Sequence, residues 1–450
     1  MKWPAKLNPF AGLPNPKEVW AWGMYDLANQ SFTLLITTVF FAIYFTDRVV
    51  PDPQRGPMLW GVCSGITSLI MIAAGPLLGA VADFGGHKKL FLTSTGLLCA
   101  VLTCAMGFIG PGEVVLAMTL YIIANVCFMS GDSFVSAFLC ELTTRETVGK
   151  VSAIGWTMGY VGVLVCLPLA LLVSPGIRLD PPPDSAFQTV FVFAGAWFMV
   201  NMIPTMLILK ERKSPEALPP GSTLVTIGFR RVWESLRSIR RFKDLTVYLV
   251  VFTIFSCGMT TYIAFIGVLG SQYLKGAELL AMIWVLALVS GIAAFSAGLI
   301  QDRAGHRATV TASLVIWVLT SAAAVALPIS GAPFWHLAMV GLGVGVGLGA
   351  TGTSARALAG SMIPEHKTAE FFGLRGLAYM LAGVIGPPIY GVISGSGGGQ
   401  RVALAVVGGF FILGIAGMFF INPKRGRAAA EAYEGEAARS SKPAKQQTSK

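Results

Sequence analysis

The chain of 450 residues is 54% hydrophobic and only 12% charged, where soluble proteins carry about 25% charge, and its mean hydropathy is +0.69. One aqueous core cannot bury that much apolar surface, so a soluble multidomain enzyme is excluded and a polytopic membrane protein is expected. The net charge of +11 lies between apolar runs and in the tail, without interleaved aromatic residues, which argues against nucleic acid as a partner.

The polar, Pro-rich start lacks the apolar stretch and cleavage site of a signal peptide. Twelve apolar stretches follow, each long enough to cross a bilayer as a helix: 19–46, 58–82, 90–109, 114–141, 150–174, 187–209, 245–268, 278–300, 308–328, 333–357, 369–394 and 401–421. The fold class is therefore all-α, polytopic. Most connections are short. The exception, 210–244, separates an N-terminal six-helix bundle (1–209) from a C-terminal one (245–421), and a polar tail over 422–450 is expected to be disordered.

The first helix contains "YDLANQSF", residues 25–32, and so carries Asp26 into the membrane. A charge at mid-bilayer costs about 2.5–3.5 kcal/mol even on the lenient insertion scale. Asp26, Gln30, Thr33 and Thr37 fall on one face, with Tyr25 and Asn29 beside them. Helix four has a similar stripe of Tyr121, Asn125, Asp132 and Ser136; helix seven has Thr253, Ser256 and Thr260; helix ten has Gly345, Gly349, Gly352 and Arg356. Arg375 lies in helix eleven. Such stripes must face water or protein, because lipid satisfies no polar group.

Two loops repeat one another. "GAVADFGGHKK" holds Gly79, Asp83, Gly86 and Lys88; "GLIQDRAGHR" holds Gly298, Asp302, Gly305 and Arg307, each pair 219 residues apart. Each follows the second helix of its set, which implies parallel six-helix halves. The glycines suit a tight turn, Asp can cap a helix N-terminus, and the basic residue can reach a carboxylate such as Glu141. A purely structural turn is the alternative.

Lys and Arg set the topology. Segments on the side of both termini hold 26 of the 33 basic residues, and those on the other side five. Both termini are expected in the cytoplasm, with the protein in the plasma (inner) membrane. In the long linker, "FRRVWESLRSIRRF" places Phe229, Val232, Trp233, Leu236 and Ile239 at helical spacing, with five arginines largely opposite. That suits a helix on an anionic leaflet, or an ordinary solvated linker helix. Glycines 155, 159 and 162 in helix five, and 383, 386 and 391 in helix eleven, are expected to pack the two halves together. The seven cysteines read as core residues, since they sit in apolar segments without Cys-x-x-Cys spacing. The run "GLGVGVGLGATG" lacks a preceding strand and a Gly-Lys-Ser/Thr, so it is no nucleotide loop. No metal or other cofactor is expected.

The paired loop signature resembles that of the major facilitator superfamily. "YDLANQSF", "AFLCEL" (137–142), "GKVSAIGWTMGYVG" (149–162) and "SARALAGSMIPEHKTAEFFGL" (354–374) resemble the autophagy-related vacuolar effluxer-like branch. The chain departs from that branch's pattern at Leu27, Cys257, Ser361 and Arg375. The resemblance implies two pseudo-symmetric bundles around a cavity lined by helices one, four, seven and ten. It also implies a secondary transporter, not an enzyme, that effluxes amino acids or similar small polar solutes by alternating access.

Substrate or coupling contacts are expected from Tyr25, Asp26, Asn29, Gln30, Thr33, Tyr121, Asn125, Asp132, Ser256, Thr260, Arg356 and Arg375. A cytoplasmic gate is expected from Gly79, Asp83, Gly86, Lys88, Glu141, Gly298, Asp302, Gly305 and Arg307. Asp26 is expected near Arg356 or Arg375, in a substrate-and-proton site, an inner gate or a static structural pair. Partners are a small-molecule substrate, protons and membrane lipids, with the chain a monomer. The alternatives are a transporter-like protein of assembly or sensing, or a carrier of lipidic or drug-like amphiphiles; a membrane enzyme would want convergent catalytic groups that the sequence does not offer.

Overall fold

The computed structural model describes residues 10, 12–13, 15–84, 87–143, 147–211, 221, 223–328, 332–364, 367–396 and 399–440. Among them no strand occurs. The first set comprises α1 (Pro16–Val49), α2 (Arg55–Phe84), α3 (Lys88–Ala105), α4 (Val114–Leu142), α5 (Val148–Val173) and α6 (Asp184–Ile208). The linker carries α7 (Leu224–Ser238). The second set comprises α8 (Lys243–Ser271), α9 (Gly276–Ala304), α10 (His306–Val325), α11 (Phe334–Gly360), α12 (Thr368–Gly395) and α13 (Gly399–Met418), and α14 (Pro423–Ser440) follows. All but α7 and α14 are long and apolar enough to cross a membrane.

Six crossings per set return the chain to the same side, so the start of α1, the linker helix α7 and α14 share one end, called here the linker end. In the first set α1 packs on α5 and α6, and α3 on α4 and α6; in the second α9 and α10 flank α11, and α8 packs on α12 and α13. The two sets meet mainly along α2 with α12, and also along α5 with α9 and α1 with α8.

Close approach occurs at the distal end. Gly61 sits against the Pro387 carbonyl, Gly391 against that of Pro57 and Gly395 against that of Gln54, with no room for a Cβ at any of the three. Trp60 Nε1 donates to the Ala264 carbonyl at 2.8 Å and Trp284 Nε1 to that of Leu164 at 3.1 Å, tying set to set. Lys275 Nζ reaches Asp180 Oδ2 at 2.9 Å between the distal loops. Toward the linker end the contact fades: a Cβ on Gly79 or Gly376 would have nothing within 4 Å. Among the described residues α4 and α11 share no extended interface. The sets thus close distally and part at the linker end.

Two expectations are corrected. Gly155, Gly159 and Gly162 do not join the halves: they receive Trp22 and Asp26, Gln30, and the Leu27 carbonyl, so they seat α5 on α1 within the first set. Gly386 likewise meets Cys257 of α8 inside the second set, whereas Gly383 and Gly391 of α12 do cross to α2. A small residue announces that something passes close by; it does not say which helix.

The segment after Asn422 is not disordered where described, but helical to Ser440. Asn422 Oδ1 accepts from the Lys424 and Arg425 amides at 3.1 and 3.2 Å, Pro423 suits the first helical position, and an alanine run favours helix. Arg425 grips Asp244 with two bonds, 2.6 and 2.8 Å, and the Tyr433 ring meets Phe242 edge-on at 5.4 Å. Composition resembling a solvated tail hid a docked helix.

α1 is irregular. It takes π-helical geometry over Phe32–Val39 and Phe45–Val49, and breaks at Val39 with φ −123° and ψ −85°. Thr38 Oγ1 donates five residues back to the Thr33 carbonyl at 2.8 Å. Gly267 of α8 lies against the Thr38 carbonyl, so the widened turn is where α1 presses on the other set. Such bulges concentrate at functional sites.

Candidate substrate cavity

Where the sets part toward the linker end, exposed charged side chains of both border the gap between them, called here the void. Asp26 lies ten residues into α1, roughly 15 Å along it at about 1.5 Å per residue. Its carboxylate is half-buried beside Gly155, where a Cβ would come within 2.7 Å of Oδ2. Asp132 on α4 and Arg356 on α11 are exposed to the void, and Arg375 on α12 is half-buried. Acids therefore come from the first set and arginines from the second.

Asp132 is in electrostatic range of both Asp26 and Arg356, and Arg356 in range of Arg375. The expected neighbour of Asp26, an arginine, is not the one found: the charge that acts on it is Asp132. Among the described residues no salt bridge joins these acids to these arginines.

The arginines lean on rings instead. The Arg356 guanidinium lies 5.2 Å from the centre of Trp156, on α5 of the opposite set, and that indole is 55% exposed. Arg375 lies 4.3 Å over Phe252, and its Nε has no hydrogen-bond partner. Trp156 and Phe252 were missed in the sequence. Trp156 sits inside the glycine-rich "GWTMGYVG", and a single aromatic in an apolar helix carries no signal of its own.

Other expected residues divide by burial. Gln30 Nε2 donates to Asn29 Oδ1 at 3.1 Å, and Thr33 Oγ1 donates to the Asn29 carbonyl at 3.4 Å; Gln30 and Thr33 are half-buried and Asn29 is buried. Tyr25 is fully buried within the first set, edge-on to Phe198 at 5.7 Å, and its hydroxyl has no partner. Ser256 is buried with an unpartnered hydroxyl, and Thr260 donates to the Ser256 carbonyl at 2.9 Å. Gly345 and Gly349 press against the Leu286 and Ser290 carbonyls of α9 and so turn from the void.

Tyr121 belongs to a plug. It is fully buried, 4.4 Å from Trp60 and 5.8 Å from Phe41 between ring centres, and accepts from Asn125 Nδ2 at 3.2 Å. Phe32 stacks on it from the linker side at 6.3 Å. These rings fill the centre of the first set distal to the charged residues.

The repeated loops are partly described. Lys88 Nζ bonds Glu141 Oε1 at 2.7 Å, a pair within the first set. The cap on α3 comes from Glu211, whose carboxylate accepts the Lys88 and Lys89 amides at 2.5 and 3.3 Å. Gly86 and the side chain of Asp83 lie outside the described residues. In the second copy Gly305 has φ +88°, Asp302 is exposed, and Arg307 lies 5.9 Å over Phe419. Gly298, like Gly79, has open space around it. None of these described contacts links the two sets.

The family described as vacuole effluxer Atg22 like matches residues 60–149 and 143–431. YxiO of Bacillus subtilis, described as an uncharacterized MFS-type transporter, is 23% identical over 89% of this chain and 94% of its own length. Autophagy-related protein 22 of Yarrowia lipolytica is 26% identical over 69% of this chain, which spans 57% of that protein. Among solved structures, a bacterial homologue of the human lysosomal transporter Spinster, inward-facing and occupied, superposes with TM-score 0.67 at 11% identity, covering 92% of this chain and 97% of that one. The nucleoside transporter NupG gives 0.64 at 13% identity, covering 89% and 98%.

Proposed function

Since the chain belongs to the vacuole effluxer Atg22-like family and is a transporter of the major facilitator type, we propose that it moves a small zwitterionic solute, an amino acid or close analogue, by alternating access. One observation carries this reading: Asp132, with Asp26 in its range, comes within electrostatic range of Arg356 and so of Arg375 across the gap between the sets, and among the described residues no salt bridge joins them. An ammonium group suits Asp26 and Asp132, and a carboxylate suits Arg356, which can release Trp156 to meet it. A solute bonded to both sets draws them together at the linker end, and the distal contacts then yield. Intramembrane acids lining a cavity also suit proton relay, and we assign proton exchange to Asp26 and Asp132. The family's description as vacuole effluxer supports efflux as the direction of transport.

The basic bias of the linker-end segments supports a cytoplasmic linker end, hence an inward-open state in the plasma (inner) membrane. A cysteine at Ser136, exposed one turn toward the linker end from Asp132, tests both sidedness and site. In a background without native cysteines, Ser136→Cys should react with an impermeant thiol reagent from the cytoplasmic face and be protected by the solute. Labelling from outside only would overturn the orientation.

A further inference from the structure

α7 lies along the last turns of α2, where Gly228 presses on the Pro76 carbonyl and Arg231 stacks 4.4 Å over Phe84. The α2 candidate span ends at Ala82, so this level is the edge of the membrane-crossing segment. Ser238 Oγ also donates to Glu370 Oε1 of α12 at 3.0 Å.

At about 100° per residue the helix has three sides. Ile227, Gly228 and Ser235 are buried against the bundle. Next comes an exposed apolar strip of Val225, Phe229, Leu236 and Trp233, the last 67% exposed. Beyond it lie Arg237, Arg230 and Glu234, of which Arg230 and Glu234 approach to 3.6 Å. Arg240 and Arg241 follow in a short 3-10 turn, and both are exposed. A helix solvated on all its free sides would not turn four large apolar side chains outward in one strip. A helix at the level where the span ends, with an apolar strip bordered by arginines, fits a bilayer interface.

We propose that α7 is a docking element for anionic phospholipid: Phe229, Trp233 and Leu236 enter the acyl boundary while Arg237, Arg240 and Arg241 take headgroup phosphates. Charge complementarity selects this occupant, because the arginine row repels a cationic surface and Glu234 is the one acid within α7. The strip and the arginines lie side by side, so one flat surface meets both.

The full-length protein in nanodiscs of phosphatidylcholine, with or without phosphatidylglycerol, tests this. Native mass spectrometry should show wild type retaining phosphatidylglycerol. The triple variant Arg237→Gln, Arg240→Gln, Arg241→Gln should lose about fivefold in apparent affinity per arginine, roughly a hundredfold together. Equal retention by the two would overturn the headgroup assignment. Lipids brominated on their acyl chains should quench Trp233, read as the difference from Trp233→Phe. No difference means that the strip faces water or another protein, and the docking reading fails.

Discussion

Arg356→Gln is expected to cut solute affinity and transport by about one and a half to three and a half orders of magnitude while leaving the protein inserted and folded. Removing one partner of a desolvated charge pair costs about 2–5 kcal/mol, most of it for the other charge left unpaired. The fold should tolerate the change, because Arg356 is exposed to the void and its described contact is the Trp156 ring. An exposed cation–π contact contributes about 0.5–1 kcal/mol, so the loss in stability is small beside the loss in function. Lysine should restore part of the activity as a point charge without the planar fork. Binding by isothermal calorimetry and uptake in proteoliposomes read the two effects separately. Unchanged affinity would remove Arg356 from the site.

Asp26→Asn should also leave a folded protein, strongly impair transport and flatten its pH profile. Asparagine matches aspartate in size, and the carboxylate already occupies the space that Gly155 leaves open. What is lost is the charge and the exchangeable proton. Asp26→Glu should retain part of the rate, limited by the extra methylene beside Trp22 and Gly155. Normal transport with an unaltered pH profile would make Asp26 structural and leave Asp132, which stands nearer the arginines, as the coupling acid.

The spans were legible because lipid imposes a length and a polarity that each helix must meet alone. The register of the two loops was legible too, and the reach of Lys88 to Glu141 followed from placing both at the same ends of adjacent helices. Distances across the void were not. Asp26 and Arg356 share no contact, because relative rotation of whole bundles, rather than helix periodicity, decides who faces whom. Tyr121 and Ser256 continue polar stripes yet are buried, since a stripe marks a direction from the lipid and not a depth in the path. The π-helical turn at Phe32–Val39 had no signal, because it coincides with the approach of Gly267 of α8 to the Thr38 carbonyl, a contact that no local pattern announces. The helix over Pro423–Ser440 was hidden by composition, its docking depending on distant partners, Asp244 and Phe242.

Counterflow in proteoliposomes tests the central claim most directly, because it reports carrier-mediated exchange without any assumption about the driving ion. Vesicles loaded with an unlabelled amino acid, bearing the wild-type chain, should accumulate the labelled form. The same solute with its carboxylate amidated or its amine acetylated should fail to exchange, since each removes one end of the bridge between the acids and the arginines. Exchange of both blocked forms as fast as the parent would contradict the account, as would the absence of counterflow for every amino acid while a neutral or lipidic solute exchanges.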